Sequence, residues 1–495
     1  MPVARRDDDP APGRRRAGQN DRMAERTLIL AAGVGSGHNS AALAVEDALQ
    51  ASGSGGEVRR IDALDTTNPV FNRLYDDAYF ALAAEAPWLV SWGYDQQDAP
   101  FKMAPLLRWF EDINTTSLVR DIRDYRPDLV IATHFMPARL VSLMLARRQI
   151  SAALDVVTTD FDFQGMWLST PLTRMYVARE ESRQHLLTLG LPPERVVTSG
   201  IPVRLEFSGP LDEDAVRARY GLRPGVPVVL ISAGASGGPR TLQVVRQCLA
   251  VGAPFQAVVI CGRNAELKEQ VEQLTAGRDD FTVVGFTTEM PALMRISSLF
   301  VGKPGGLSSS ECMAAGLPMV IVDPLPGQEV RNSDFLLEEG AAVRCNFGTT
   351  IGYKIAQLLT DPQRLARMAA NARRIGHPDA AARIAATSTR LDQPLLAISR
   401  DAQKLIQKAF ADGIDSLAGT AEERLHTIYD IQSGHSIALA SDAELTTVGA
   451  RPGAPDMVLS RTFLKALRWQ PENSTLASHA MWLLGDAESQ VLGIR

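Results

Sequence analysis

Apolar residues in this chain gather in short unbroken runs rather than in alternation. Runs at 27–32 (TLILAA), 129–132 (LVIA), 154–157 (LDVV), 227–233, 256–261 (QAVVIC), 299–301 (LFV) and 319–322 (MVIV) are each closed by glycine, proline or a polar cluster. Runs of that length bounded by turn residues predict strands buried on both faces. Between them lie stretches with helical patterning: AALAVEDALQ after the first run, 180–190, 241–248, 290–296 and 355–359. Strands alternating with helices predict α/β architecture, here with two such domains in succession.

The stretch at 300–332, FVGKPGGLSSSECMAAGLPMVIVDPLPGQEVRN, is the densest in candidate chemistry. It reads as a strand end, a Lys303-Pro304-Gly305-Gly306 turn, a helix capped by Ser308, Ser309 or Ser310 with Glu311 in its first turn, a second strand, and a proline-stiffened loop carrying Gln328 and Glu329. A glycine turn at a helix amino terminus offers free N–H groups and a positive dipole end to a diphosphate. A carboxylate there can accept two ribose hydroxyls, and a Gln-Glu pair can read sugar hydroxyls. In open α/β sheets, ligands sit beyond the carboxyl ends of strands, which is where these residues fall. A second glycine loop, GVGSGHNS at 33–40, follows the first strand and carries Gly35, Gly37 and His38. Its third glycine comes too early for a dinucleotide fingerprint. An imidazole has the right ordinary pKa to take a proton from a hydroxyl near neutral pH.

Composition narrows the class. The 495 residues exceed one ordinary domain, and 45% hydrophobic with 22% charged residues is the balance of a globular protein. A net charge of −6 argues against a general nucleic-acid binder. Cys248, Cys261, Cys312 and Cys345 have no metal or disulfide spacing, so reduced cytosolic thiols are expected. No apolar run reaches the roughly 18 residues of a membrane span. No secretory signal follows Arg14-Arg15-Arg16, and residues 1–26 read as a disordered tail. Residues 87–113 collect Trp88, Trp92, Tyr94, Phe101, Trp109 and Phe110 with Lys102 and Arg108. That mixture suits either a membrane interface or a buried insertion.

The 300–332 stretch resembles the donor-sugar site of the family 28 glycosyltransferases, closest to monogalactosyldiacylglycerol synthases and bacterial processive diacylglycerol glucosyltransferases. Their KPGG…SE…GLP…PxPGQE…N pattern is complete here, ending at Asn332. The likeness extends to the GxGH loop, to RPDLVIATHF at 126–135, to Thr159-Asp160-Phe161 with Trp167, to TSGIPVR at 198–204, to GASGG at 234–238 and to VVGF at 283–286. Two departures stand out: Phe135 replaces a proline after His134, and Gln164 occupies the place of a histidine. The resemblance implies a GT-B fold, two facing Rossmann-like domains with a cleft between them, plus a C-terminal extension. The first would span residues 27–205 and face acceptor and membrane. The second, at 206–390, would bind a UDP-sugar, and 391–495 would be an extension of unknown role, with helix-like stretches at 402–410, 422–431 and 464–469.

It further implies an inverting transfer of galactose or glucose from a UDP-sugar to a lipid hydroxyl, such as that of diacylglycerol, at the inner face of the cell membrane. The acceptor would come from an anionic bilayer, and the enzyme would be cytoplasmic and peripheral. His38 and Asp160 would be catalytic, with Asp160 either orienting His38 or acting as the base. Gly234, Ser236, Gly237, Gly238, Phe286, Lys303, Gly305, Gly306, Leu307, Ser308, Glu311, Gln328, Glu329 and Asn332 would bind the donor. Gly35, Gly37, His134 and Trp167 would bind the acceptor. No metal or other cofactor is expected, because the donor half has no DxD-type pair. The alternatives are an N-acetylglucosaminyltransferase acting on a polyprenyl-diphosphate acceptor, a two-domain UDP-sugar epimerase, and a catalytically lapsed scaffold.

Overall fold

The computed structural model describes residues 23–33, 37–66, 116–189, 191–232, 240–391 and 395–398, isolated residues 234, 393 and 403, and the backbone of strands at 426–429, 436–440 and 457–460. The expected aromatic insertion at 87–113, the expected helix at 464–469 and all but residue 403 of the expected helix at 402–410 lie outside these residues.

The first sheet contains β1 (Arg26–Ala31), β2 (Glu57–Asp62), β3 (Leu129–Ala132), β4 (Ala153–Val157), β5 (Arg174–Val177) and β6 (Val196–Thr198). All pairings are parallel, in the order β2-β1-β3-β4-β5-β6. Leu28, Ile29, Leu30 and Ala31 are fully buried because helices cover both sheet faces. Those helices include α1 (Gly37–Ser52), α2 (Thr116–Tyr125), α3 (Phe135–Ala146) and α4 (Glu180–Thr188).

The second sheet has β7 (Val228–Ser232), β8 (Gln256–Ile260), β9 (Phe281–Val284), β10 (Leu299–Gly302), β11 (Met319–Val322) and β12 (Ala342–Cys345). Its order is β12-β11-β10-β7-β8-β9, again all parallel. Helices α5 (Glu213–Arg219), α6 (Thr241–Leu249), α7 (Ala265–Leu274), α8 (Met290–Ile296), α9 (Gly306–Ala315), α10 (Gln328–Glu338), α11 (Ile351–Leu359) and α12 (Pro362–Ile375) surround it. Each sheet is doubly wound. The chain leaves the middle of the sheet toward one edge, then returns to build the other side. The crevice so created lies between β1 and β3 in the first sheet and between β7 and β10 in the second. The two glycine loops follow β1 and β10.

Three boundaries differ from expectation. The tail called disordered to residue 26 is ordered from Met23: Met23 bridges Arg390, and the Ala24 N–H donates to the Thr389 carbonyl at 3.0 Å. The donor domain does not keep its chain to residue 390. Helix α13 (Ala380–Ser388) crosses back and buries Ala381, Ile384 and Ala385 with Ala42, Val45 and Leu49 of α1. Apolar burial favours that side, since α1 otherwise presents a bare apolar stripe. The stretch 422–431, expected to be helical, contains β14 (His426–Tyr429). That strand lies in a third sheet with β13 (Leu395–Ile398), β15 (Ser436–Ala440) and β16 (Met457–Ser460). β13 docks on the first domain, where Leu172 and Leu396 exchange hydrogen bonds of 2.9 and 2.7 Å.

Candidate active site

The site is assembled where the carboxyl ends of the two sheets meet. After β1, the chain turns into α1 at Gly37, and Asp62 at the end of β2 ties the turn down. Its carboxylate accepts from the Gly33 N–H at 3.0 Å, the Asn39 side chain at 2.6 Å and the Leu64 N–H at 3.0 Å. His38 then sits on the first turn of α1, beneath the end of β3. Its Nδ1 lies 3.1 Å from the Thr133 carbonyl oxygen and 2.9 Å from Thr159 Oγ1. A carbonyl can only accept, so Nδ1 carries the proton and Nε2 keeps its lone pair. Burial pulls the His38 pKa down to about 4, against the hydrogen bond to Thr133 and the charge of Asp62, which both raise it.

His134 caps α3. Its Nδ1 accepts from the Met136 N–H at 3.1 Å, so Nε2–H remains as a donor. The two imidazoles stand edge to face with centroids 4.6 Å apart, and burial together with the neighbouring His38 holds His134 well below its ordinary pKa. Trp167, expected as an acceptor contact, is 2% exposed and packs with its centroid 6.3 Å from each histidine ring. It is a wall behind the rings, because the short helix Gly165–Trp167 turns its indole into the first core.

On the donor side, α9 begins at Gly306 with Gly305 as its extended N-cap and no side-chain cap. The expected serine cap is therefore wrong by a few residues. Ser309 and Ser310 lie inside the helix with buried hydroxyls, and Glu311 is in the second turn rather than the first. The glycines allow this early start: a Cβ on Gly306 would run into the Thr159 carbonyl oxygen of the facing domain. A Cβ on Gly37 would stand 3.7 Å from Leu307. The amino termini of α1 and α9 thus converge, and each brings the positive end of its helix dipole.

Gln328 and Glu329 were expected on a loop. They form the first turn of α10, since Gly327 (φ 88°) ends the proline-rich segment and lets the helix start. Glu329 reaches back to accept from the Leu325 N–H at 2.6 Å. Burial raises its pKa, while that hydrogen bond and Lys303 lower it. Gln328 crosses to the first domain and donates to Asp160 Oδ1, and Asn332 Nδ2 lies 3.5 Å from the same oxygen. Asn332 Oδ1 also accepts from the Phe161 N–H at 3.2 Å. Asp160 therefore does not orient His38. Its carboxyl is turned to α10, and the groups that hold His38 are Thr133 and Thr159. Burial pushes Asp160 up to about 7 against its two amide partners, with Glu329 and Asp162 adding to the rise. Glu311 is also raised to about 7, by burial, with Arg204 opposing.

Phe286 is 55% exposed and carries the Arg263 guanidinium 4.7 Å from its ring centre. Arg204 braces the domain linker by donating to the Thr288 carbonyl at 3.0 Å and to Glu206. Asp323, at the end of β11, holds a left-handed backbone (φ 50°) and pairs with Arg240 at 2.8 Å. Gly234 has φ 77°, a conformation that favours glycine. Gly35, Ser236, Gly237 and Gly238 lie outside the described residues. Among the described residues, no cluster of three or more His, Cys, Asp or Glu side chains is arranged to hold a metal ion. Sequence reasoning missed Asp62, Asn39 and Thr159. A threonine at a strand end reads as an ordinary β former, and only the fold brings it to His38.

Comparison with known proteins fits this geometry. The family described as "Monogalactosyldiacylglycerol (MGDG) synthase" matches residues 38–203, and "Glycosyl transferases group 1" matches residues 242–375. A "Processive diacylglycerol beta-glucosyltransferase" of Bacillus pumilus is 28% identical over 353 residues, covering 70% of this chain and 90% of the relative. Among solved structures, Acinetobacter baumannii MurG aligns with a TM-score of 0.50 at 21% identity, over 74% of this chain and 99% of the other. The Staphylococcus aureus MnaA–UDP structure aligns at 0.51 and 14% identity, over 73% and 94%. Those two likenesses concern the fold.

Two facing Rossmann-like domains with a glycosyltransferase match in each define a GT-B glycosyltransferase. Within that class, the chain is similar to the monogalactosyldiacylglycerol synthases over residues 38–203 and to the processive diacylglycerol beta-glucosyltransferases along most of its length.

Proposed function

We propose that the protein transfers a hexose, glucose or galactose, from a UDP-sugar to the hydroxyl of diacylglycerol with inversion. The convergence of the α1 and α9 amino termini at Gly37, Gly306 and Leu307 is the observation that carries this reading. It provides one place where a diphosphate and a hydroxyl acceptor meet the same base. In this reading Glu311 accepts the ribose hydroxyls, while Gln328, Glu329 and Asn332 address the hexose. Lys303 and the N–H groups of Gly305, Gly306, Leu307 and Ser308 meet the charge that develops on the departing UDP. Gly234 opens the loop assigned to the phosphates, to which Ser236, Gly237 and Gly238 also belong in sequence, and the backbone at Phe286 is assigned to the uracil.

The acceptor hydroxyl approaches His38 Nε2, which takes its proton as the C1–oxygen bond forms and the bond to the UDP oxygen breaks on the opposite face. His134 Nε2–H and Gly37 are assigned to the acceptor side. The charge on the leaving group is met by amide donors and Lys303, so no resident metal is assigned a role. The relatives' names supply the acceptor class. No helix among the described residues is long and apolar enough to cross a membrane. With a membrane lipid as acceptor, the reading places the enzyme at the inner surface of an anionic bilayer, from which it takes its lipid.

The test is direct. Purified protein is incubated with radiolabelled UDP-glucose or UDP-galactose and diacylglycerol vesicles, and the lipid fraction is resolved by mass. A hexosyl-diacylglycerol product supports the reading. Label found only on a polyprenyl-diphosphate acceptor, or UDP-sugar interconverted without lipid, overturns it. In parallel, Glu311→Ala is expected to abolish UDP binding by calorimetry in a protein that still folds.

A further inference from the structure

Among the described residues, one three-residue segment just beyond β4, Thr159-Asp160-Phe161, ties the acceptor half to the donor half at three successive points. Each residue of it engages the other domain. The Thr159 carbonyl abuts Gly306, Asp160 takes the Gln328 amide, and the Phe161 N–H donates to Asn332. Thr159 also faces the other way, toward His38. Its side chain is buried, 4% exposed, and its Oγ1 lies 2.9 Å from His38 Nδ1.

The usual orienting group for a histidine base is a carboxylate on the far ring nitrogen. Both nearby candidates are otherwise engaged. Asp62 is held by Gly33, Asn39 and Leu64, and Asp160 by Gln328 and Asn332. Two neutral oxygens, the Thr133 carbonyl and the Thr159 hydroxyl, are left to hold the Nδ1–H.

We propose that Thr159 is a positioning residue for His38: with the tautomer set by the Thr133 carbonyl, its hydroxyl fixes the ring angle that aims Nε2 at the acceptor, and its carbonyl keys that orientation to the donor helix at Gly306. This rests on the reading of His38 as the base given above. The carbonyl of Thr133 belongs to the β3 end and stays with the first domain. The segment 159–161 is clamped to the donor domain, so the seating of the domains on each other and the aim of the base share one residue. Gly306 then has a second reason to be glycine besides phosphate approach, because any side chain there would push Thr159 off His38.

The experiment compares Thr159→Val, Thr159→Ser and His38→Ala in the full chain. UDP affinity is measured by calorimetry, transfer to diacylglycerol vesicles by steady-state kinetics, and the environment of the His38 Nδ1–H by 15N–1H correlation spectra. His38→Ala is expected to keep UDP affinity and lose transfer at least about 100-fold. Thr159→Val is expected to keep UDP affinity and donor KM within about twofold, to lower kcat about 10- to 100-fold, and to shift the His38 Nδ1–H resonance as the ring loses one of its two acceptors. Thr159→Ser, which restores the hydroxyl, should return most of kcat. Loss of transfer in His38→Ala with wild-type kcat and spectrum in Thr159→Val overturns this inference alone, as does a serine variant no better than the valine. Near-normal turnover of His38→Ala overturns the base assignment and this inference with it.

Discussion

At the scale of single residues, the site runs on carboxyls and imidazoles displaced from their ordinary titration ranges by burial. His38 near 4 is neutral throughout the physiological range, so the base is always ready and does not set a neutral-pH limb. Glu311 at about 7 behaves oppositely. It accepts ribose hydroxyls best as a carboxylate, so UDP affinity should weaken as pH falls from 8 to 5.5, and Glu311→Gln should flatten that dependence in calorimetric titrations. Asp160 supplies a stability test. Its folded pKa of about 7 lies above the ordinary aspartate value, so the native state favours the protonated form. Its contribution is complete below about pH 4 and is lost as pH rises through 7. Asp160→Asn keeps an oxygen for Gln328 and removes the buried charge. At pH 8 it should unfold at higher denaturant, by on the order of 1–3 kcal/mol, and at pH 4 the gain should vanish. A variant less stable than wild type at pH 8 would mean that the carboxylate is held favourably.

At the scale of elements, the sequence was most legible where runs of valine, leucine and isoleucine meet glycine. MVIV at 319–322 and the helix at 290–296 fall on β11 and α8. Legibility failed where helix starts were masked. The segment 323–327 holds two prolines and a glycine, so Gln328 read as loop until Gly327 supplied the backbone turn that opens α10. Ser308-Ser309-Ser310 looked like caps because serine favours that role. Contact with Thr159 moved the real start back to the glycines, which is information from the other domain. The same contact predicts an asymmetry between neighbouring glycines. Helix propensity alone favours alanine at 306 by about 1 kcal/mol. The clash is with a backbone carbonyl, which yields only if the domains part, so the sign reverses. Gly306→Ala should destabilise by about 1–3 kcal/mol and open the molecule in small-angle scattering. At 305 the nearest atom to a new Cβ is Glu329 Oε1 at 3.9 Å, so Gly305→Ala should leave the scattering profile unchanged.

At the scale of the molecule, the chain crosses between domains twice, and the crossings lie side by side. Ser208 Oγ donates to the Pro378 carbonyl at 3.0 Å, and Arg383 donates to the Thr198 carbonyl at 3.3 Å. Gly200, with φ 83°, is packed against His377 where a Cβ could not fit. None of this was legible from 380–388, since AAARIAATS has no strong apolar face and nothing local says which domain it serves. The structure answers through burial. Ile384 is fully buried among α1 residues, and Ser388 Oγ lies 3.0 Å from the hydroxyl of Tyr176, which donates to Asp155 at 3.2 Å inside the first domain. Helix α13 is therefore a structural part of a domain whose strands ended some 180 residues earlier. Ile384→Ala should cost about 2–4 kcal/mol, the range for emptying a buried aliphatic site. Its effect should be local in a telling way. Amide exchange should accelerate in α1 and β1, which share its core, and leave β10 and β11 of the donor domain near wild-type protection. Equal loss of protection in both sheets would instead show that the domains unfold as one unit, joined firmly enough at Thr159 and Gly306 that neither opens without the other.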